Sequence, residues 1–163
     1  MTMIAEQMAL KLRHTAHTVL KMMFMAPVLA DQEFPPPHVV NPILVGLEFV
    51  GQVKGIFTLA VASETGERLA LNFMGMESGE QLDRQAVVEV LGELANMMCG
   101  HFLGQMKYQD TFRLCSPVEL NLDSFAPKGH TYQRTVHLDQ GSISLQVAVE
   151  DWNGPILVPP RIE

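Results

Sequence analysis

Two long stretches of the chain carry apolar residues at helical spacing. Between residues 4 and 25 these residues recur every three or four positions, and Pro27 follows. This pattern predicts an amphipathic helix that ends before the proline. Residues 82–103 predict a second long helix, for which Gly104 is a suitable terminator. The predicted core face of this second helix consists of Val87, Val90, Leu91, Leu94 and Met98.

Shorter apolar runs lie between the two long helices. Residues 43–50 and 56–62 flank a brief glycine-bounded turn, so they predict a β-hairpin. A short helix is predicted directly afterwards, from Ser63 to Met74. Ser63 is expected to cap the start of this helix and Gly75 to end it.

Three more strands are predicted after the second long helix. Residues 111–120 form one candidate, which Pro117 interrupts. Residues 132–138 and 143–150 predict a second hairpin. Its turn contains Gly141, which suits a backbone with positive φ.

The order of these elements favours an α+β fold. Hairpin-connected strands predict a mostly antiparallel sheet, with the two long helices packed on it. The two halves of the chain resemble each other in layout, as an internal pseudo-repeat. The length of 163 residues fits one domain. Its predicted parts are an N-terminal helix (1–30), a proline-rich linker (31–42), the sheet with the second long helix (43–151) and a tail (152–163).

Composition narrows the classes of function. Hydrophobic residues make up 47% and charged residues 18%, as in globular proteins. The net charge of −7 argues against nucleic-acid binding, which needs a basic face. With only two cysteines, Cys99 and Cys115, the chain is expected to be reduced and intracellular, with both thiols acting as small core residues. No run of about 18 uncharged apolar residues is present, so we predict a cytoplasmic protein without a membrane span.

The second long helix also carries a polar stripe opposite its core face. Within this stripe, Glu93 and Asn96 lie on adjacent turns with Cβ atoms about 5–6 Å apart. Gly92 and Gly100 flank them, although each glycine costs a helix about 1 kcal/mol relative to alanine. A ligand or another backbone that approaches closely would explain the glycines, as would a neighbouring element of the same fold. The whole stripe comprises Gln85, Glu89, Glu93, Asn96 and Gly100.

Other chemical motifs are weak or absent in the sequence. There is no glycine-rich phosphate loop, nucleophile elbow or kinase signature. His14 and His17 have helical spacing, but two ligands make a poor metal site. We therefore predict no metal site in this chain.

The segment ELANMMCG, residues 93–100, resembles the Glu-x-x-Asn helix of the CheC/CheX/FliY family of chemotaxis phosphatases. The resemblance extends over roughly residues 46–151. It includes the hairpin with its VGQVKG turn, the short helix and the acidic ESGEQLD entry to the second long helix. It also includes the later segments Ser116-Pro-Val and Lys128-Gly-His130. The implied fold is CheX-like.

The resemblance implies a phosphatase that hydrolyses the aspartyl-phosphate of a CheY-like response regulator. The family motif is Asp or Ser, three residues, Glu, two residues, Asn; here Glu93 and Asn96 match, and Glu89 replaces the Asp or Ser. The first helix has no second motif, so the resemblance is to the single-site CheX type. It implies that Asn96 orients the attacking water and that Glu93 pairs with a lysine of the regulator. Glu89, Gly92 and Gly100 are then partner-binding residues.

The same resemblance implies a homodimer and no cofactor of the chain's own, with Mg²⁺ supplied by the regulator. A second function is also consistent with the resemblance. Flagellar switch proteins share the fold but lack the Glu/Asn pair, so a non-catalytic module that binds a regulator or a motility switch is the second hypothesis.

Overall fold

A computed structural model describes residues 3–33, 41–77, 79–106 and 112–150. The helices are α1 (Met3–Phe24), α2 (Ser63–Met74) and α3 (Arg84–Gly104). The strands are β1 (Ala30–Gln32), β2 (Pro42–Val50), β3 (Lys54–Ala62), β4 (Arg113–Leu114), β5 (Val118–Leu120), β6 (His130–Leu138) and β7 (Gly141–Glu150). The predicted α+β class is confirmed.

All the strands of the described residues belong to one antiparallel sheet. Its order is β1-β6-β7-β3-β2-β4, and β5 also pairs with β2. Both predicted hairpins, β2–β3 and β6–β7, are confirmed. In the central strands alternate residues such as Leu47, Phe57 and Val147 are fully buried. These residues share a core with the apolar faces of the helices, so the helices cover one face of the sheet.

The helix boundaries agree with the predictions to within about two residues, but two of the expected caps are wrong. Ser63 is the first helical residue of α2, and the preceding Ala62 makes no side-chain cap. Gly104 still belongs to α3, which ends at a right-handed Gln105. Gly75 ends α2 as expected, with φ of 67°. Asp83 caps α3 by accepting a hydrogen bond from the Ala86 amide at 2.8 Å.

Part of the predicted linker forms a strand instead. β1 pairs with Thr135–His137 of β6, and Pro42 already belongs to β2. Asp31 of β1 accepts a hydrogen bond from Arg134 at 2.6 Å and lies 3.5 Å from Arg13 of α1. Three residues are too few to show a periodicity, and their partners lie about 100 residues away along the chain. Residues 34–40 lie outside the described part.

The predicted strand at 111–120 divides into two. β4 and β5 lie on either side of Pro117, and both pair with β2. Proline has no amide hydrogen to donate, so it is expected at such a break in pairing. Thr111 and the predicted tail, residues 152–163, lie outside the described residues.

A small polar junction joins α1 to α3 within an otherwise apolar interface. Gln105 donates hydrogen bonds to the Lys11 carbonyl at 3.1 Å and to Thr15 Oγ1 at 2.7 Å. Thr15 Oγ1 lies 3.0 Å from His101 Nδ1. His14 packs its ring 5.3 Å from that of His101, measured between ring centroids. These directional contacts fix how α1 lies against α3.

The two cysteines lie in different environments and are both free thiols. Cys99 is a core residue of α3, as predicted, and burial raises its pKa to about 12. Cys115 is only partly buried, so the expectation that both are core residues is wrong for this one.

Among the described helices, α3 has the length and composition to cross a membrane, with mean hydropathy of 1.2 over 18 residues. The sequence prediction used a different criterion, a run of about 18 uncharged apolar residues, and α3 contains no such run because Glu89 and Glu93 interrupt it. Half of the stretch is buried inside the fold, and the core helix of a globular domain shows the same character.

Candidate functional site

The polar stripe of α3 faces outward, as its spacing predicts. Glu89, Glu93 and Gly100 are exposed, and Asn96 is partly buried. On the opposite side, Leu91, Leu94 and Met98 are fully buried against the sheet, together with other residues of the core. The helix is thus held rigidly by its apolar face while it presents an acid and an amide one turn apart.

The side chains of Glu93 and Asn96 make no hydrogen bond or ion pair with any other residue that the structure describes. A carboxylate and an amide without internal partners keep their full capacity to bind another molecule. The amide of Asn96 offers both an acceptor oxygen and a donor nitrogen, whereas the carboxylate of Glu93 only accepts when it is ionised.

Glu89 lies one turn before Glu93 and is also exposed. Its carboxylate accepts a long hydrogen bond, 3.4 Å, from the amide of Gln85. Gln85 is neutral, so this contact leaves the charge of Glu89 uncompensated. Glu89 and Glu93 stand at i and i+4, where like charges repel each other.

The two glycines of the stripe have different surroundings. Gly92 is buried, and a Cβ placed on it would lie 3.2 Å from Cβ of Pro117. A neighbouring element of the same fold therefore makes the close approach at Gly92. A Cβ on exposed Gly100 would meet only Leu114 Cδ1, at 3.9 Å. A methyl group at Gly92 would therefore press on Pro117, which would have to move by a few tenths of an ångström, whereas the position of Gly100 has room for it.

The packing of Pro117 against Gly92 creates a depression beside the motif, which we call the α3–β5 groove. It has a volume of about 410 Å³. Val45 of β2 and Val88 of α3 lie at its apolar floor, and both are buried. Its walls are formed by Glu89 and Glu93 on the α3 side, and by Pro117, Val118 and Glu119 on the β5 side.

Glu119 is the residue of this groove that sequence patterns do not single out. Its carboxylate pairs with Arg84 at the start of α3, at 2.5 Å. The two residues are 35 positions apart, so no local spacing links them. Val118, the residue before Glu119 on β5, belongs to the resembling Ser116-Pro-Val segment, and 54% of its surface is exposed.

No group of three or more histidine, cysteine, aspartate or glutamate residues is placed to hold a metal ion within the described ranges. The candidate site therefore consists of two side chains on a rigid helix, with a groove beside them. Because Glu93 and Asn96 project outward, the site suits insertion into another molecule better than enclosure of a small substrate. Fold and site together define a single-sheet α+β domain in which one helix exposes an acid and an amide one turn apart.

The family follows from the sequence match. Residues 43–145, more than half of the chain, match the family model described as chemotaxis phosphatase CheX. The chain belongs to the CheX family. A search of curated protein sequences finds no match.

Solved structures agree on the fold. A chain of the CheX–CheY–BeF3–Mg²⁺ complex from Borrelia burgdorferi is similar with a TM-score of 0.70 at 19% identity, covering 85% of this chain and 95% of that one. CheX from Vibrio vulnificus is similar with a TM-score of 0.69 at 17% sequence identity, and the match covers 88% of this chain and 96% of that one. FliY from Thermotoga maritima is similar with a TM-score of 0.60 at 20% sequence identity, and the match covers 91% of this chain and 89% of that one.

These comparisons confirm the resemblance and the CheX-like fold predicted from the sequence. At such low identities the structural similarity concerns the fold alone. The catalytic roles of Glu93 and Asn96, and the partner-binding roles of Glu89, Gly92 and Gly100, remain predictions.

Proposed function

We propose that this protein is a phosphatase that hydrolyses the aspartyl-phosphate of a CheY-like response regulator. The observation that carries the proposal is the outward-facing, internally unpartnered pair Glu93 and Asn96 on α3, in a chain of the CheX family. A similar structure, from Borrelia burgdorferi, is described as a complex of CheX with CheY, BeF3 and Mg²⁺.

Asn96 orients the attacking water. An amide is no base near neutral pH, but its oxygen accepts a hydrogen bond from the water while its nitrogen donates one. Phosphoryl transfer passes through a loose transition state, in which alignment of the nucleophile matters more than removal of its proton. A rigid helix supplies that alignment without ordering a loop.

Glu93 binds the partner. Its carboxylate pairs with a lysine of the regulator's active site and so fixes the register of α3. Inserting a carboxylate beside a phosphate is unfavourable unless cations neutralise the site. That lysine and a divalent Mg²⁺ provide the positive charge, and both belong to the regulator.

The protein works in the cytoplasm as a homodimer in this proposal. Response-regulator signalling places the substrate there, and the family resemblance supports the dimer. Among the described residues, β1 pairs with three of the nine residues of β6, and this is compatible with association at that end of the sheet.

Phosphate release from purified CheY-like regulators tests the proposal. Regulators from the genome that encodes this chain are phosphorylated with a small-molecule phosphodonor and mixed with the protein in Mg²⁺. Wild type should accelerate release, and Asn96→Ala should lose about 10²-fold or more of that acceleration, because the water is no longer held in line. Binding to the BeF3-activated regulator and the melting temperature should change little.

Glu93→Gln separates binding from chemistry. It should weaken the complex with the activated regulator, because the charged partner of the lysine is lost. Glu48→Gln is the matched control: Glu48 is exposed on β2 and alternates with buried core residues, so it faces away from the helices. Equal release rates for wild type and Asn96→Ala would reject the mechanism. Slower release in the presence of wild type would indicate a binding module instead.

A further inference from the structure

The α3–β5 groove is continuous with the proposed docking site, because Glu93 itself forms part of its wall. Any partner that receives Glu93 therefore also covers this groove. At about 410 Å³ it can take one or two side chains but not a folded element. Its occupant must come from the surface of the regulator that surrounds the phosphorylated residue.

The chemistry of the groove selects the kind of side chain. Buried Val45 and Val88 give it an apolar floor, while its rim is acidic. Glu119 is already neutralised by Arg84 at 2.5 Å, so the uncompensated charges on the rim are Glu89 and Glu93. An aliphatic stem with a cationic head is complementary to such a surface: the stem lies on apolar groups and the head reaches the carboxylates.

When the regulator docks, Glu89 needs a cationic partner. It lies one helical turn from Glu93, with Cβ atoms about 6 Å apart, so it enters the same interface. Its only hydrogen bond in the described residues is the 3.4 Å contact with neutral Gln85. A carboxylate desolvated without a cation is strongly unfavourable, and the repulsion from Glu93 adds to this cost.

We infer that the α3–β5 groove is a second contact of the docking face, in which Glu89 receives a lysine or arginine side chain of the response regulator. This cation is additional to the active-site lysine that pairs with Glu93. The inference rests on the proposed function, and it gives Glu89 a role in choosing among regulators. A regulator without a basic residue at that place binds less tightly.

The test measures the affinity for a regulator and the rate of phosphate release separately. The regulator used is the one that the wild-type protein dephosphorylates fastest or, if it dephosphorylates none, the one that it binds most tightly. Glu89→Gln should raise the dissociation constant of the BeF3-activated regulator about 3- to 10-fold at low salt. The difference should shrink as added salt screens the pair. Single-turnover phosphate release at subsaturating protein should slow by about the same factor, because less complex forms at equal concentration.

A second variant approaches the groove from its other wall. Val118→Lys places a cation at a residue that is 54% exposed, so the fold tolerates it, and it should weaken binding by repelling the incoming cation. Glu48→Gln, which also removes one negative charge, should bind as wild type does. Wild-type affinity and salt dependence in both groove variants would overturn the inference. If the wild-type protein binds no regulator at all, the proposed function is overturned as well. If it binds a regulator and the groove variants bind equally well, only this inference is overturned.

Discussion

Single side chains at the α1–α3 junction are expected to make the stability of the fold depend on pH. Gln105 donates through its amide nitrogen to Thr15 and to the Lys11 carbonyl, and that nitrogen and Thr15 Oγ1 lie 3.3 and 3.0 Å from His101 Nδ1. A neutral imidazole with an unprotonated Nδ1 can accept from either group, whereas a proton on Nδ1 removes that acceptor. Burial, and secondly the nearby His14, lower the pKa of His101 below its ordinary value.

We therefore expect His101 to stabilise the fold most above about pH 6.5. Its native pKa lies below the unfolded value of about 6.5, so the unfolded chain binds more protons as the pH falls and the contribution is lost. Between pH 7.5 and pH 5.5, the melting temperature of His101→Gln should thus fall less than that of the wild-type protein. An unchanged slope in His101→Gln would contradict the assignment.

Helices and strands meet most closely where α3 passes β5. The contact depends in part on Gly92, because a Cβ there would lie 3.2 Å from Cβ of Pro117 and press against it. It also depends on the ion pair between Arg84 and Glu119, which joins the start of α3 to β5. The α3–β5 groove forms where the two elements come close together. Its shape therefore depends on Gly92, although a glycine lowers the stability of a helix.

Two glycine substitutions should have opposite effects on stability. Gly92→Val forces β5 away from α3, and such overpacking costs about 1–3 kcal/mol. Gly100→Ala has room for its methyl group and should gain up to about 1 kcal/mol of helix stability. Urea denaturation measures both. Destabilisation by Gly100→Ala to the same degree as Gly92→Val would show that the two positions are not distinguished by their surroundings.

The molecule as a whole is organised around one sheet whose strands come from both halves of the chain. β2 and β3 from the first half lie beside β7 from the second, and α1 packs against α3 and β6. The two halves therefore share a core rather than forming separate units. Short strands, β1 on one side and β4 and β5 on the other, end the sheet.

We expect the protein to sediment as a dimer, with a mass near twice 18.1 kDa at micromolar concentration. In the part of the chain that the structure describes, the strands at both ends of the sheet are short and cover part of their neighbours, and partly covered edges favour pairing with another chain. Sedimentation equilibrium over a dilution series measures this. A mass of 18.1 kDa throughout the series would reject the homodimer.

Much of the fold could be predicted from local pattern. The two long helices, both hairpins and the outward face of α3 depend on periods of 3.6 and 2 residues, which the sequence displays directly. The missed features have weak local signals. β1 is too short to show alternation, and the wrong caps depend on backbone conformation at helix ends, where Ser63 and Gly104 could act in more than one way.

The sequence alone determined that an acid and an amide stand one turn apart on the solvent side of a helix, because helix geometry fixes the spacing of Glu93 and Asn96. Only the tertiary structure decided what surrounds them. Arg84 meets Glu119 across 35 residues, and Thr15 meets His101 across 86. Such contacts depend on how whole elements pack, and no short-range period of the chain encodes that arrangement.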